Sequence, residues 1–352
     1  MTPLVRGAVS PPVNVAIVGC AHQPHSSSYA RALASTPSAR LTAVFDEDPA
    51  LARSVADDFA APVTDDLDAL LAPGDLDAVV VCSPTAQHRR HAEAAASAGC
   101  HVFSEKPIAT TTSDARAMIT ACREAGVQLH VAFVIRFLPH VRSIKEAIDS
   151  GSLGEVIGIR AGNRGRPPLP PRYPAWITQA RESGGGALID HSVHLTDVIR
   201  HLTGREVVSV AAEAGELLWG AGVEDCALLS LVLDNGAVAG LDQSWSVPAN
   251  NPWDYDFFLR LVGTQGSVDL DDLAESVQVV SGRMADGLRL AGFADDPDAE
   301  MIETFCASVR QGRLLEPSAS GEDGLRALEV ALAGYASAAS GAQFVAPASG
   351  TA

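Results

Sequence analysis

Through the first third of the chain, short apolar blocks alternate with stretches of helical period. The blocks at 13–18, 41–45, 78–82, 101–104 and 127–133 read as strands buried on both faces. Between them, 27–35, 49–59, 66–71, 87–98 and 113–125 read as helices. Gly99 and Gly126 stop two of these, and Ser113 stands where an N-cap belongs. Strands and helices alternating at this spacing predict a doubly wound parallel sheet. Past Leu153 the runs at 156–161, 207–212, 227–233, 237–245, 257–262 and 276–280 are again strand-like, and Asp234-Asn235-Gly236 is a hairpin signal between two of them. One strongly periodic helix lies among them. It follows Gly184-Gly185-Gly186, runs through Leu202 and stops at Gly204.

A chain of 352 residues is long for one core, so two domains are expected. Apolar residues at 47% and charged residues at 19% mark it as globular. The net charge of −18 argues against a nucleic-acid backbone as partner, since that needs clustered Lys and Arg. No basic amphipathic segment and no apolar run of membrane-spanning length occurs, so no membrane partner is expected. The six cysteines, Cys20, Cys82, Cys100, Cys122, Cys226 and Cys306, form no CxxC pair, which suits reduced thiols and a cytoplasmic location. Residues 1–12 read as a disordered tail. No His/Cys/carboxylate set has metal-ligand spacing.

In a doubly wound sheet, ligands bind beyond the carboxyl ends of the strands. Gly19, Asp46, Ser83-Pro84-Thr85 and Glu105-Lys106-Pro107 all fall there. The first turn is expected to hold a pyrophosphate at a helix N-terminus, and Asp46 a ribose hydroxyl. Asp46 followed by Glu47, with no Arg nearby in sequence, favours NAD over NADP. The glycine fingerprint is degraded, with Ala21 at its second position and Pro24 at or near its third; the hydroxyls of Ser26, Ser27 and Ser28 could substitute. In the periodic helix, Asp190 and His194 are four apart and share a face, a pairing able to move protons near neutrality. Asp197 and His201 continue that face beyond the expected site. Loop histidines such as His22 and His25 more often face solvent, though both could line the cleft. The segment 164–172, with four prolines and three arginines, is a loop suited to setting specificity.

Taken in order, these motifs resemble the Gfo/Idh/MocA family of oxidoreductases. Ser104-Glu105-Lys106-Pro107 is similar to its EKP motif, and Cys82-Ser83-Pro84-Thr85 with His88 to its S/T-P turn. Arg136-Phe137-Leu138-Pro139, Gly151-Ser152-Leu153-Gly154-Glu155-Val156 and Gly321-Glu322-Asp323-Gly324-Leu325-Arg326-Ala327 resemble later family segments. The glycine run with Asp190, His194 and Asp197 resembles its G-G-G-x-L-x-D-x-x-x-H-x-x-D. The resemblance implies an α/β fold: a Rossmann-type NAD-binding domain over 13–135, then a substrate-binding and oligomerisation domain over 136–345 with a large, mostly antiparallel open sheet, and a tail at 346–352. It implies NAD as cofactor, a sugar, nucleotide sugar, glycoside or cyclitol as substrate, and a homodimer or homotetramer formed through that sheet.

By the same resemblance Lys106, Asp190 and His194 are the catalytic groups, and Pro107 is expected to follow a cis bond. Gly19, Ala21, Asp46, Ser83, Pro84, Thr85, His88, Glu105 and Lys106 line the cofactor, while Trp176 and His191 are candidate substrate contacts. Two other functions stay open within the family: glycoside cleavage with a retained NAD, and a non-catalytic sensor of NAD or sugar.

Overall fold

The computed structural model describes residues 11–72, 74–251, 254–271, 276–283, 288–291 and 296–348. The expected tails, 1–12 and 346–352, therefore fall largely outside the described residues; Val345, just before the second, bridges Val210.

The first sheet is built from β1 (Val13–Val18), α1 (Gln23–Ser35), β2 (Ala39–Phe45), α2 (Pro49–Ala56), β3 (Val63–Thr64), α3 (Leu67–Leu71), β4 (Ala78–Val81), α4 (His88–Ser97), β5 (His101–Ser104), α5 (Thr112–Ala125) and β6 (Leu129–Val131). These strands pair in parallel in the order β3-β2-β1-β4-β5-β6. Val15, Ala16 and Ile17 of β1 and all of β4 are fully buried, as strands covered on both faces must be. The order reverses between β1 and β4, which brings Gly19 and Ser83 together at the switch point.

Two boundaries differ instructively from the sequence reading. Helix α1 begins at Gln23, because Pro24 in its first turn pre-sets the helical φ instead of extending the loop. Helix α5 is capped by Thr111, whose hydroxyl accepts from the Asp114 N–H, not by Ser113.

The second sheet follows α6 (Pro139–Asp149). It contains β7 (Val156–Gly165), then, after the short α7 (Ala180–Ser183) and the long α8 (Ala187–Thr203), β8 (Val207–Gly215), β9 (Cys226–Leu233), β10 (Val238–Ser244), β11 (Tyr255–Gly263), β12 (Gly266–Asp271), β13 (Ser276–Ser281) and β14 (Leu288–Ala291). The strand order is β14-β13-β12-β11-β7-β10-β9-β8, antiparallel except for β7–β10. Gly236, at φ +83°, makes the expected hairpin between β9 and β10. One face of the sheet buries Ile159, Leu229, Leu231, Leu241 and Leu259, and α8 and α10 pack against the sheet. The other leaves Leu228 and Val238 about 60% exposed.

The last segments do not stay with the second sheet. Helix α9 (Pro297–Gln311) packs on α1, and β15 (Ala319–Ser320) adds antiparallel to β6 before α10 (Gly321–Ala339) crosses α8 and α5. The expected boundary at 135/136 is thus crossed again by residues 297–320. Between the sheets, Arg136 makes a two-pronged ion pair with Asp197 (2.8 and 2.7 Å) and donates to the Ser318 carbonyl. Both partners are buried, so Asp197 anchors packing, as its place on the helix suggested.

Candidate active site

The glycine run places α8. Gly184 and Gly185 have φ of +93° and +154°, open to glycine but strained for other residues. A Cβ on Gly185 would collide with the Tyr335 hydroxyl, and one on Gly186 with the Glu224 carbonyl. The helix start therefore carries no capping side chain of its own.

One turn on, Asp190 faces the cleft. Its Oδ1 accepts from Lys106 Nζ at 2.7 Å and its Oδ2 from the Trp245 indole N–H at 3.0 Å. Burial would raise the Asp190 pKa, but Lys106, with His191 and the Trp245 indole, outweighs it and holds the carboxylate well below its usual range. Lys106 stays charged in turn, because the Asp190 and Glu105 carboxylates overcome the cost of burial. His194, 7% exposed, leaves Nδ1 without a partner, and burial followed by the Lys106 charge pushes its pKa well below the ordinary histidine value. His191 is buried beside Asp190, its Nε2 3.5 Å from Oδ2 and unbonded, with a pKa lowered to about 4 by burial. The arrangement is an ammonium fixed by a carboxylate beside a neutral imidazole.

Glu105 is buried beneath this group. Its Oε1 accepts from Tyr29 at 2.5 Å and faces His25 Nδ1 at 2.8 Å, and its Oε2 accepts from the Lys106 N–H at 3.0 Å. It thereby supports the turn that carries Lys106. Lys106–Pro107 is cis. The His25 and His22 rings lie 3.9 Å apart, tilted by 39°, and both line the cavity, contrary to the solvent-facing expectation. Burial would discharge His25, but Glu105 outweighs it and raises its pKa; His22, without such a partner, falls to about 3 through burial and its charged neighbour.

The phosphate turn is tight. Gly19 has φ +85°, and a Cβ there would lie 2.6 Å from Ser83 backbone atoms. Asp46 closes the turn by accepting from the Cys20 N–H (2.7 Å) and the Asp48 N–H (2.8 Å), and each carboxylate oxygen keeps acceptor capacity for a ribose hydroxyl. These features and the unpartnered Nδ1 of His22 at the helix start suit a dinucleotide.

Other expectations need correction. The Ser26 hydroxyl bonds back to the His22 and Gln23 carbonyls, and that of Ser28 to Asp298, so neither is free for phosphate. His88 does not line the cavity. It is 1% exposed and braces two turns, with Nε2 at the Ser83 carbonyl (3.0 Å) and Nδ1 at the Pro107 carbonyl (3.1 Å). The Ser83 hydroxyl is held by His91, whereas Thr85 reaches the cavity wall. The Trp176 ring lines the cavity, but its indole N–H is spent on the Ala21 carbonyl at 3.1 Å. In the 164–172 segment, Arg166 and Pro168 border the cavity, while Arg164 belongs to β7 and pairs with Asp256. An arginine does approach Glu47: Arg90 of α4 pairs with it at 2.5 Å. Trp245, Tyr29 and Arg90 were missed because their partners are remote in sequence.

The groups converge on a cavity of about 350 Å³, with Lys106, Asp190, His191 and His194 on its wall and Asn163, Tyr173 and Tyr255 beside them.

Residues 13–133 match the family model described as an oxidoreductase family with an NAD-binding Rossmann fold, and residues 141–269 match the GFO/IDH/MocA C-terminal domain. The chain is 32% identical to inositol 2-dehydrogenase of Rhizobium meliloti, over 88% of this chain and 93% of that protein. It is also 32% identical to 1,5-anhydro-D-fructose reductase of Ensifer adhaerens, over 77% and 80%. Among solved structures, GenD2 from gentamicin A biosynthesis in complex with NAD superimposes with a TM-score of 0.82 at 26% identity, covering 98% of this chain and 99% of that one.

Proposed function

The chain belongs to the Gfo/Idh/MocA oxidoreductase family, and from that premise we propose that Lys106, Asp190 and His194 handle the hydroxyl proton of a sugar or cyclitol during NAD-dependent oxidation. The observation that carries this reading is the 2.7 Å Lys106–Asp190 pair sharing one cavity with an unprotonated His194. NAD supplies the hydride acceptor when bound. Gly19, Ala21, Asp46, Pro84 and Thr85 would hold it, with Asp46 at the ribose. Lys106 donates to the substrate oxygen and stabilises the charge that develops there. His194 takes the hydroxyl proton as the C–H bond loses hydride, leaving a carbonyl. Asp190 keeps Lys106 charged and aimed. In this division of labour, 13–135 serves the cofactor and 136–345 the substrate. Inositol, named for one relative, and anhydrofructose, named for another, support a cyclic polyol as the substrate class.

The test is a panel of cyclitols, aldoses and glycosides with NAD, following NADH absorbance. Oxidation of at least one cyclic polyol is expected; NAD binding with no NADH formed across the panel overturns the reading. Because the His194 pKa is depressed and that of Lys106 raised, turnover is expected to stay flat from neutrality down through pH 6.5, falling only in stronger acid. A retained-cofactor form of the same chemistry is favoured by the Trp176–Ala21 bond, which lays the substrate side across the phosphate turn. NAD that co-purifies, and glycoside cleavage without net NADH, would select it.

The Asp46-Glu47 pair supports NAD over NADP, with Arg90 neutralised by Glu47. Replacing Asp46 and Glu47 together by Ser should free Arg90 for a 2′-phosphate and tighten NADPH binding about tenfold or more by calorimetry. Restoring weak binding with Arg90→Ala would complete the case. Unchanged NADPH affinity in the double variant excludes it.

The outward apolar positions Ile157, Leu228, Val238 and Val262 support self-association through the second sheet. Light scattering should give a dimer or tetramer mass, and a monomer at micromolar concentration rejects this. Among the described residues no helix is long and apolar enough to cross a membrane. The described cysteines are all unpaired, which supports a cytoplasmic setting.

A further inference from the structure

Helix α8 carries Asp190 and His194 but starts on glycines, and its cap is imported from residues 216–225, between β8 and β9. Glu224 Oε1 accepts from the Gly186 N–H at 2.9 Å and the Leu188 N–H at 3.0 Å, and the Glu224 carbonyl accepts from the Ala187 N–H at 2.9 Å. The Tyr335 hydroxyl donates to the same Oε1 at 2.7 Å. A carboxylate at this end also answers the positive pole of the helix.

The segment offering Glu224 is itself held tightly. Asp225, fully buried, accepts the consecutive N–H groups of Leu217, Leu218 and Trp219 at 2.8–2.9 Å. The Trp219 indole donates to the Trp245 carbonyl at 2.7 Å, and the Trp245 N–H donates to the Asp225 carbonyl at 2.8 Å. Trp245 in turn bonds Asp190 Oδ2. One loop thus reaches Asp190 twice, through the start of its helix and through the indole that holds its side chain.

We propose that Glu224 is a positioning residue for the reaction: it fixes the first turn of α8 so that Asp190 meets Lys106 and His194 stands in the cavity. It does not line the cavity. The proposal rests on the catalytic reading of Asp190 and His194 given above.

The test compares Glu224→Ala and Glu224→Gln in the full chain, measuring kcat, KM, NAD affinity by calorimetry and the pH profile. Glu224→Gln keeps an oxygen for the two N–H groups and should retain kcat within about threefold. Glu224→Ala loses a cap and should drop kcat by about tenfold or more with NAD affinity nearly unchanged. Its alkaline limb should also move to lower pH, because a displaced Asp190 no longer keeps Lys106 charged; Glu105 and Tyr173, which also act on Lys106, stay in place. Should the alanine variant not fold, Glu224→Asp, one methylene short of the helix, gives the same comparison. Wild-type kcat in the alanine or aspartate variant overturns the proposal. So does an equal loss in the glutamine variant, or NAD affinity falling in step with kcat. His194→Ala run alongside separates the layers: full activity there defeats the catalytic reading itself, whereas loss there with an active Glu224→Ala defeats only the role of Glu224.

Discussion

Lys106→Met and His194→Ala should each lower turnover by about two to four orders of magnitude while leaving NAD binding nearly intact. Methionine keeps the length of the lysine stem as far as Cε but removes the ammonium that Asp190 holds in place at 2.7 Å. Without it, the ammonium that answers the negative charge forming on the substrate oxygen is gone, and Asp190 is left facing that charge. His194→Ala removes an imidazole beside Lys106 and Asp190 that is depressed in pKa and unpartnered at Nδ1. His191 is no substitute, since it lies against Asp190 and Gly165. Calorimetric NAD affinity measured beside kcat decides the matter: turnover within about threefold of wild type in both variants would end the proton-transfer assignment.

Asp197→Ala should cost about 3–5 kcal/mol of folding stability, read as a lowered urea midpoint, because it strands a buried guanidinium. Arg136 is only 5% exposed and Asp197 1%, and the pair joins the end of the first sheet to the middle of α8. Asp323, 3.3 Å from Arg136, recovers part of the loss. A deficit under about 1 kcal/mol would place the pair among ordinary surface bridges. Asp197 stands one turn beyond His194 and does not line the cavity, so kcat per folded molecule should fall much less than yield.

The sequence was most legible where one local rule sufficed. Strands β1 and β5 end where an apolar run meets Gly19 or Glu105, and α8 ends on Gly204 in the left-handed conformation that glycine favours. Helix α1 was read late because Pro24 signals both loops and first helical turns. Strand β12 was missed because Asp269 and Asp271 point outward between the buried Val268 and Leu270, and acidic residues favour a loop reading. In the site, the residue types were legible but their directions were not. His88 and Glu105 have the expected positions in the chain, yet they turn inward to brace the turns. Trp245 lies 55 residues from Asp190, and no periodicity links an indole to a carboxylate at that distance.

The return of α9 and β15 to the first sheet bears on how such a chain can be divided. Phe305 of α9 packs against Phe103 and His130, and β15 covers the open edge of β6. A nucleotide-binding half cut at residue 135 would leave an aromatic layer wet and a strand edge unpaired. It is no cassette to be grafted or swapped. The two halves interleave through a late segment, so exchange between relatives has to carry residues 297–320 together with the first 135.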